Sequence, residues 1–342
     1  MRIGYNPRIM KPVLLCLHVI VLFVFTIGCT GQASQTLVSN TPSAALLPSS
    51  TVPVPTITIP PTDPPITQTA QQTYVQEFPT SPTATSIAIK PSPTYDPKIW
   101  SGLPVVPTIS PRVKEIYARG HELGNTPNAF SKIGDCGSTP AWFLGDYDRG
   151  PRYYNLGEYQ VLNNVIQAFQ GSYDRISLAA KSGFNASSIF SPLWSNRELC
   201  QPNESPLACE YRVHKPSFAF IMLGTNDVWH QDSFEPQMRL IIETSIDLGI
   251  VPILSTKADN REGDGSVNAT IARLANEYQM PLWNFWAAVQ DLPDQGLQDD
   301  GSHLTWGPNQ FNDPQVLEKA WPVRNLTALQ VLNKIWNYVS SP

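Results

Sequence analysis

Two stretches hold the residue types that nucleophilic catalysis needs. Gly134-Asp135-Cys136 ends a short apolar run, and Asp300-Gly301-Ser302-His303 lies late in the chain. A strand that ends in glycine and then carries a small nucleophile on a sharp turn exposes that side chain at the carboxyl edge of a sheet. Open α/β folds keep their sites at that edge. A carboxylate three residues before a histidine can orient the imidazole through Nδ1 and leave Nε2 free to take a proton. Cys136, His303 and Asp300 are thus a candidate nucleophile, base and orienting acid. Each has an ordinary alternative: Gly-Asp-Cys can be a turn with a buried cysteine, and His303 a hydrogen-bonded surface residue. Ser138 is the alternative nucleophile, although two residues on it should point elsewhere from the turn.

Two further loops leave strand-like runs. Lys181-Ser182-Gly183 follows Arg175–Ala180, and Gly224-Thr225-Asn226-Asp227 follows the continuous apolar run Ser217–Leu223. In a parallel sheet the carboxyl ends share one edge, so Cys136, Gly183 and Asn226 are expected to converge there. Asn226 could instead cap its own turn. Asp135 and Asp227 read as structural carboxylates that hold loop backbone. Lys257 and Asp259 follow another strand end and are candidates for the pocket wall. Trp194, Trp229, Trp283 and Trp286 could form a platform for sugar rings, although core packing is the commoner fate of tryptophan. His121, His214 and His230 lack metal-ligand spacing. No glycine-rich phosphate loop or nicotinamide fingerprint occurs, so neither a metal nor an organic cofactor is expected.

The elements that must position these residues alternate. Arg112–His121 has a helical look and stops before Gly124, and Ala129–Ile133 suits a first buried strand. Leu156–Gly171 has apolar residues at helical spacing and ends in glycine, and Arg175–Ala180 reads as a second strand. After a loop-rich excursion come the strand Ser217–Leu223, the helix Pro236–Leu248 and the strand Ile250–Leu254. The helix Val267–Tyr278, the strand Pro281–Phe285 and an amphipathic helix Asn325–Tyr338 complete the pattern. Strands alternating with helices predict a doubly wound, mainly parallel α/β sheet.

The motifs Gly134-Asp135-Cys136, Gly183, Gly224-Thr225-Asn226-Asp227 and Asp300-Gly301-Ser302-His303 occur in the order found in the SGNH (GDSL-type) hydrolases, and the stretch Phe130–Val339 resembles that superfamily. The resemblance implies a flavodoxin-like sheet and hydrolysis of ester bonds in small acyl, lipid or acetylated-sugar substrates. It also implies an oxyanion hole made by the backbone N–H of Cys136, the N–H of Gly183 and the side-chain amide of Asn226. The chain departs from the family at one position, with cysteine where the nucleophilic serine stands. A thiol deprotonates more readily than a hydroxyl, but a thiolate is also the better leaving group and can be oxidised. A protein that keeps the fold without the chemistry, acting as a cell-surface carbohydrate-binding module, is therefore the competing expectation.

The remaining sequence suggests delivery. Arg2, Arg8 and Lys11 precede the uncharged apolar run Pro12–Gly28, the pattern of an export signal over residues 1–29. Thr26-Ile27-Gly28-Cys29 resembles a bacterial lipoprotein lipobox with threonine in place of the usual leucine. Membrane attachment is expected through acylated Cys29 or an uncleaved segment, with plain secretion as the alternative. About half of the 33 prolines fall between Pro42 and Pro111. Residues 30–111, rich in Ser, Thr and Pro, are expected to form an extended, disordered tether. Residues 112–342 are then the folded domain. Cys200 and Cys209 flank a short polar loop and are natural disulfide partners in an oxidising compartment, which leaves Cys136 unpaired. A net charge of −5 argues against a nucleic-acid surface. The expected partner is a small ester or acetylated-glycan substrate.

Overall fold

A computed structural model describes residues 99–341 of the chain. The expected export segment, the Cys29 acylation site and most of the expected tether lie outside the described residues. Among the described residues no helix is long and apolar enough to cross a membrane.

The domain enters through Trp100–Gly102, a single helical turn, and an extended stretch that leads to helix α1, Pro111–Glu122. Ser110 caps α1 by accepting from the N–H of Arg112, and Pro111 follows at the first helical position, where its missing N–H costs nothing. Strand β1, Thr126–Gly134, ends at the Cys136 turn. Next come α2 (Asp146–Arg149), β2 (Tyr154–Asn155), α3 (Asn163–Ala168) and α4 (Pro206–His214). They lead to β3 (Pro216–Met222), α5 (Gln231–Asp247), β4 (Val251–Ser255) and α6 (Ser266–Tyr278). The chain closes through β5 (Leu282–Trp283), α7 (Phe285–Val289), β6 (Asn309–Gln310) and α8 (Ala320–Ser340).

The main sheet runs β1-β3-β4-β5, every pairing parallel. Every residue of β3 and β4 is buried. Side chains alternate between the two faces of a strand, so both faces of the sheet are covered. Helix α8 packs against α1, α3 and α7, while α5 packs against α6 and β4. Phe130, Phe143, Phe220 and Trp283 form a chain of edge-on and stacked ring contacts in the core. A separate two-residue parallel pairing joins β2 to β6.

The expected second strand, Arg175–Ala180, is reduced to one bridge between Gly134 and Ala180. Side chains occupy the outer edge of β1 where a ladder would run. The Arg175 guanidinium donates to the Phe130 carbonyl at 2.9 Å, and Glu210 accepts from the Ser131 hydroxyl, from Arg175 and from the Leu178 N–H. Backbone pairing begins only past them, where the Gly134 N–H donates to Ala179 and the Lys181 N–H to Gly134.

The expected helix over Leu156–Gly171 is also shorter. Asn155 accepts from the Gly157 N–H in an Asx turn, and a 3₁₀ turn over Gln160–Leu162 precedes α3. The region between Cys200 and Cys209, which form a disulfide, is less loop-like than expected. Ser205 caps α4 by accepting from the Ala208 N–H, so Cys209 and Glu210 stand on that helix.

Candidate active site

The nucleophile turn is built by a close approach. A Cβ on Gly134 would stand 2.2 Å from Ser138 Oγ and 2.5 Å from the Met222 carbonyl oxygen, so only glycine fits where β1 ends against β3. Asp135 then caps the 3₁₀ turn Cys136–Ser138 by accepting from the Gly137 N–H at 2.9 Å. The turn leaves Cys136 half-buried as a free thiol. Ser138, the alternative nucleophile, folds back under Gly134. It is fully buried, its Oγ has no hydrogen-bond partner among the described residues, and it does not line the cavity.

The cavity above this turn has a volume of about 430 Å³ and lies across the carboxyl ends of the parallel strands. Asp135 and Cys136 reach it from β1, Met222 and Asn226 from β3, Ser255 and Lys257 from β4, and Phe285 from just past β5. Gly183, Asp300 and His303 line it as well. The five residues singled out for chemistry (Cys136, Gly183, Asn226, Asp300 and His303) therefore share one cavity. Two loops supply the candidate oxyanion donors, and side chains tie them together. The Asn226 amide donates one N–H to the Phe184 carbonyl at 2.9 Å, leaving its second N–H. Asp227 accepts from the N–H of Ala186 at 2.8 Å and of Gly224 at 3.0 Å. Gly183 has φ +81° with open space around its Cβ position, so left-handed backbone, not crowding, selects glycine there.

Asp300 and His303 stand on a small hairpin closed by an antiparallel bridge between Leu297 and Leu304. Its backbone is fastened by the Gln298 N–H donating to the His303 carbonyl and by Gln298 Nε2 donating to the Leu304 carbonyl. One Asp300 oxygen accepts from the N–H groups of Ser302 and His303, each at 2.9 Å, and the other is paired with His303 Nδ1. The His303 hydrogen bond and those two N–H groups hold the Asp300 carboxyl well below the usual carboxylate range. Both side chains are exposed on the cavity rim. Among the described residues no hydrogen bond joins His303 to the Cys136 sulfur.

Burial pushes the Cys136 thiol up, and the neighbouring Asp135 carboxylate adds to the rise. Burial likewise raises Asp135 itself and lifts Asp227 to about 6, against the pull of its two N–H donors. The opposing charge is Arg324, which nothing in the sequence singled out. Its guanidinium donates to the Gly137 carbonyl at 2.7 Å and lies over the rings of Phe143 and Trp321, at 4.8 and 5.3 Å. Burial lowers it to about 10, so it still carries its proton at neutral pH, and its charge favours the anionic forms of Cys136 and Asp135. An arginine within a long helix is read from sequence as a solvated residue; only the fold shows that it enters the core.

Lys257, Asp259 and Thr225 line the cavity, and Glu262 supports Lys257 from outside the lining. Lys257 Nζ lies 2.7 Å from Asp259 and 2.5 Å from Glu262, and the Thr225 hydroxyl donates to Asp259 at 2.7 Å. Of the four tryptophans weighed as a sugar platform, Trp283 is fully buried in the core and Trp286 packs edge-on against Trp100. Trp194 and Trp229 are exposed but do not line the cavity.

No family model and no curated protein matches the chain. Among solved structures, a catalytic mutant of Axe2, an acetylxylan esterase from Geobacillus stearothermophilus, is 17% identical, with 61% of this chain and 95% of that chain covered at a TM-score of 0.39. The structure of an acetyl esterase mutant with an acetate ion is 15% identical, with 60% of this chain and 99% of that chain covered at a TM-score of 0.38. Similarity at this level assigns neither activity nor substrate.

Proposed function

We propose that the chain is an SGNH-like hydrolase of ester bonds in acyl or acetylated substrates, on a flavodoxin-like sheet, exported and held at the cell surface by its N-terminal segment. One observation carries the catalytic reading: a free thiol, a hydrogen-bonded Asp300–His303 pair, Gly183 and Asn226 line the same cavity. Burial raises the thiol and so favours its protonated form before substrate binds. His303 acts as general base during attack. Its Nε2 takes the Cys136 proton as sulfur bonds to the ester carbonyl carbon, and the carbonyl electron pair moves to oxygen. The N–H groups of Cys136 and Gly183 and the free N–H of Asn226 receive that oxyanion. Collapse expels the alcohol, which takes the proton from His303, and leaves a thioester. Water, deprotonated by His303, then attacks the thioester, releasing the acid and restoring the thiol.

The test is hydrolysis of an aryl acetate by the chain and by Cys136→Ala and His303→Ala. Loss of at least about 100-fold in both variants is expected, the scale of a general-base contribution. Equal rates in all three would overturn the mechanism. The rival reading, glycan binding without turnover, draws on the same raised thiol, which disfavours the nucleophilic form. It requires no hydrolysis by the unaltered chain and glycan binding that survives Cys136→Ala.

A further inference from the structure

A second cavity, of about 390 Å³, shares Trp321 with the first. Its walls continue directly from the candidate catalytic segments. Trp142 lies six residues after Cys136, and Trp306 three residues after His303. Trp321, at the start of α8, stacks on Trp142 with ring centroids 5.4 Å apart and planes 23° apart. Trp306 is 64% exposed, Trp142 45% and Tyr153 36%, so these rings present faces rather than pack as core. Among the described residues no hydrogen bond engages the indole N–H of Trp142 or Trp306.

The floor beneath these rings is polar and rigid. Asn325 donates to Asn309 at 3.0 Å, Asn309 donates to Asp146 at 2.9 Å, and the Leu144 N–H donates to Asn325. Asn309 is itself pinned by the β2–β6 pairing. The one cation in the lining, Arg152, lies over the Tyr153 ring and donates to its hydroxyl, and the one carboxylate, Asp146, pairs with Arg149 and accepts from Asn309.

This lining selects among ligand classes. It holds no Leu, Ile, Val, Met or Phe, so the only aliphatic surface it offers an acyl chain is that of Ala141 and Pro308. It carries one residue of each sign, Arg152 and Asp146, rather than the cluster of cations that an anion site uses. Flat aromatic faces beside fixed amide and carboxylate groups suit a ring that is apolar on its C–H face and polyhydroxylated at its edge. We propose that this cavity binds a neutral saccharide chain, and that Trp321 sets the bound chain next to the first cavity. The substrate class under the hydrolase reading is then an ester carried on a glycan, whose flanking sugar rings occupy the second cavity. That assignment of substrate rests on the hydrolase reading; the binding site does not.

The test is therefore made without turnover. Full-length Cys136→Ala is titrated with xylohexaose, cellohexaose and chitohexaose, and binding is followed by calorimetry and tryptophan fluorescence. At least one hexasaccharide is expected to bind and quench the fluorescence. Adding Trp306→Ala is expected to weaken that binding at least tenfold, whereas Trp306→Phe, which keeps a flat ring, retains most of it. Circular dichroism confirms that each variant is folded. Absence of binding by all three sugars, or unchanged affinity in Trp306→Ala, would overturn the proposal. Sugar binding in a chain that fails to hydrolyse aryl acetates would sink the hydrolase reading and leave the saccharide site standing.

Discussion

Arg324 places a positive charge among aromatic rings directly beside the nucleophile turn, where burial disfavours it. What it gains is contact with the Gly137 carbonyl and the fields of Asp135 and Cys136. The thiol is pushed up by burial and by Asp135, and Arg324 is the charge that pulls it back. Removing that charge should therefore raise the thiol further. In Arg324→Met the pH midpoint for alkylation of Cys136 by iodoacetamide is expected to move upward, and Arg324→Lys should restore part of the shift. A purely structural arginine would lower the melting temperature of Arg324→Met and leave the midpoint in place. The sign for stability follows from the same burial. The folded thiol holds its proton more tightly than the unfolded one, so its contribution is present at neutral pH. It is lost as pH rises through the raised folded value.

At the scale of elements, Gly134 decides how β1 delivers its turn. Any Cβ there meets a serine hydroxyl and a backbone carbonyl, and the carbonyl belongs to β3 and cannot rotate aside. Gly134→Ala is expected to cost about 1–3 kcal/mol by overpacking and to lower ester hydrolysis by displacing Cys136. Equal urea midpoints for Gly134→Ala and the parent would refute this. The long strands were legible in the sequence because central strands covered on both faces read as continuous apolar runs, as Ser217–Leu223 does. The edge at Arg175–Ala180 was not, because its apolar pattern is that of a strand while the β1 edge it would pair with is taken by its own Arg175 side chain and by Glu210, which is distant in sequence. The candidate site was legible for a related reason. Cys136 and Asn226 follow the ends of β1 and β3, and a parallel sheet brings such ends together whatever lies between them; Gly183 follows only the Gly134–Ala180 bridge, which holds its loop at the same edge. Arg324 and the exposed tryptophans Trp142 and Trp306 carry no such local mark. Their roles depend on which helix packs over which loop, which no short stretch of sequence encodes.

Across the whole molecule, the cavity depends on a segment whose composition groups it with the tether. Residues 99–110 are proline-rich, yet they bind the far side of the sheet edge. Trp100 packs on Trp286 with centroids 4.9 Å apart, and Ile109 is buried in the core. The carbonyls of Trp100 and Leu103 accept both N–H groups of Asn284, at 2.9 and 2.8 Å. Asn284 is fully buried and accepts from Thr256, which lines the cavity and in turn accepts from the Trp286 N–H. A chain beginning at Pro111 would leave the Asn284 amide without these two acceptors, would take the Ile109 side chain out of the core and would uncover Trp286. Against a chain beginning at Ile99, it should lose about 3 kcal/mol, from two part-buried hydrogen bonds and one aliphatic side chain's worth of burial. The loss would be read as a lower urea midpoint. Its hydrolytic rate should fall as well, because Thr256 and Trp286 would no longer be held from behind. Coincident urea curves for the two chains would show instead that residues 99–110 rest on the domain without supporting it.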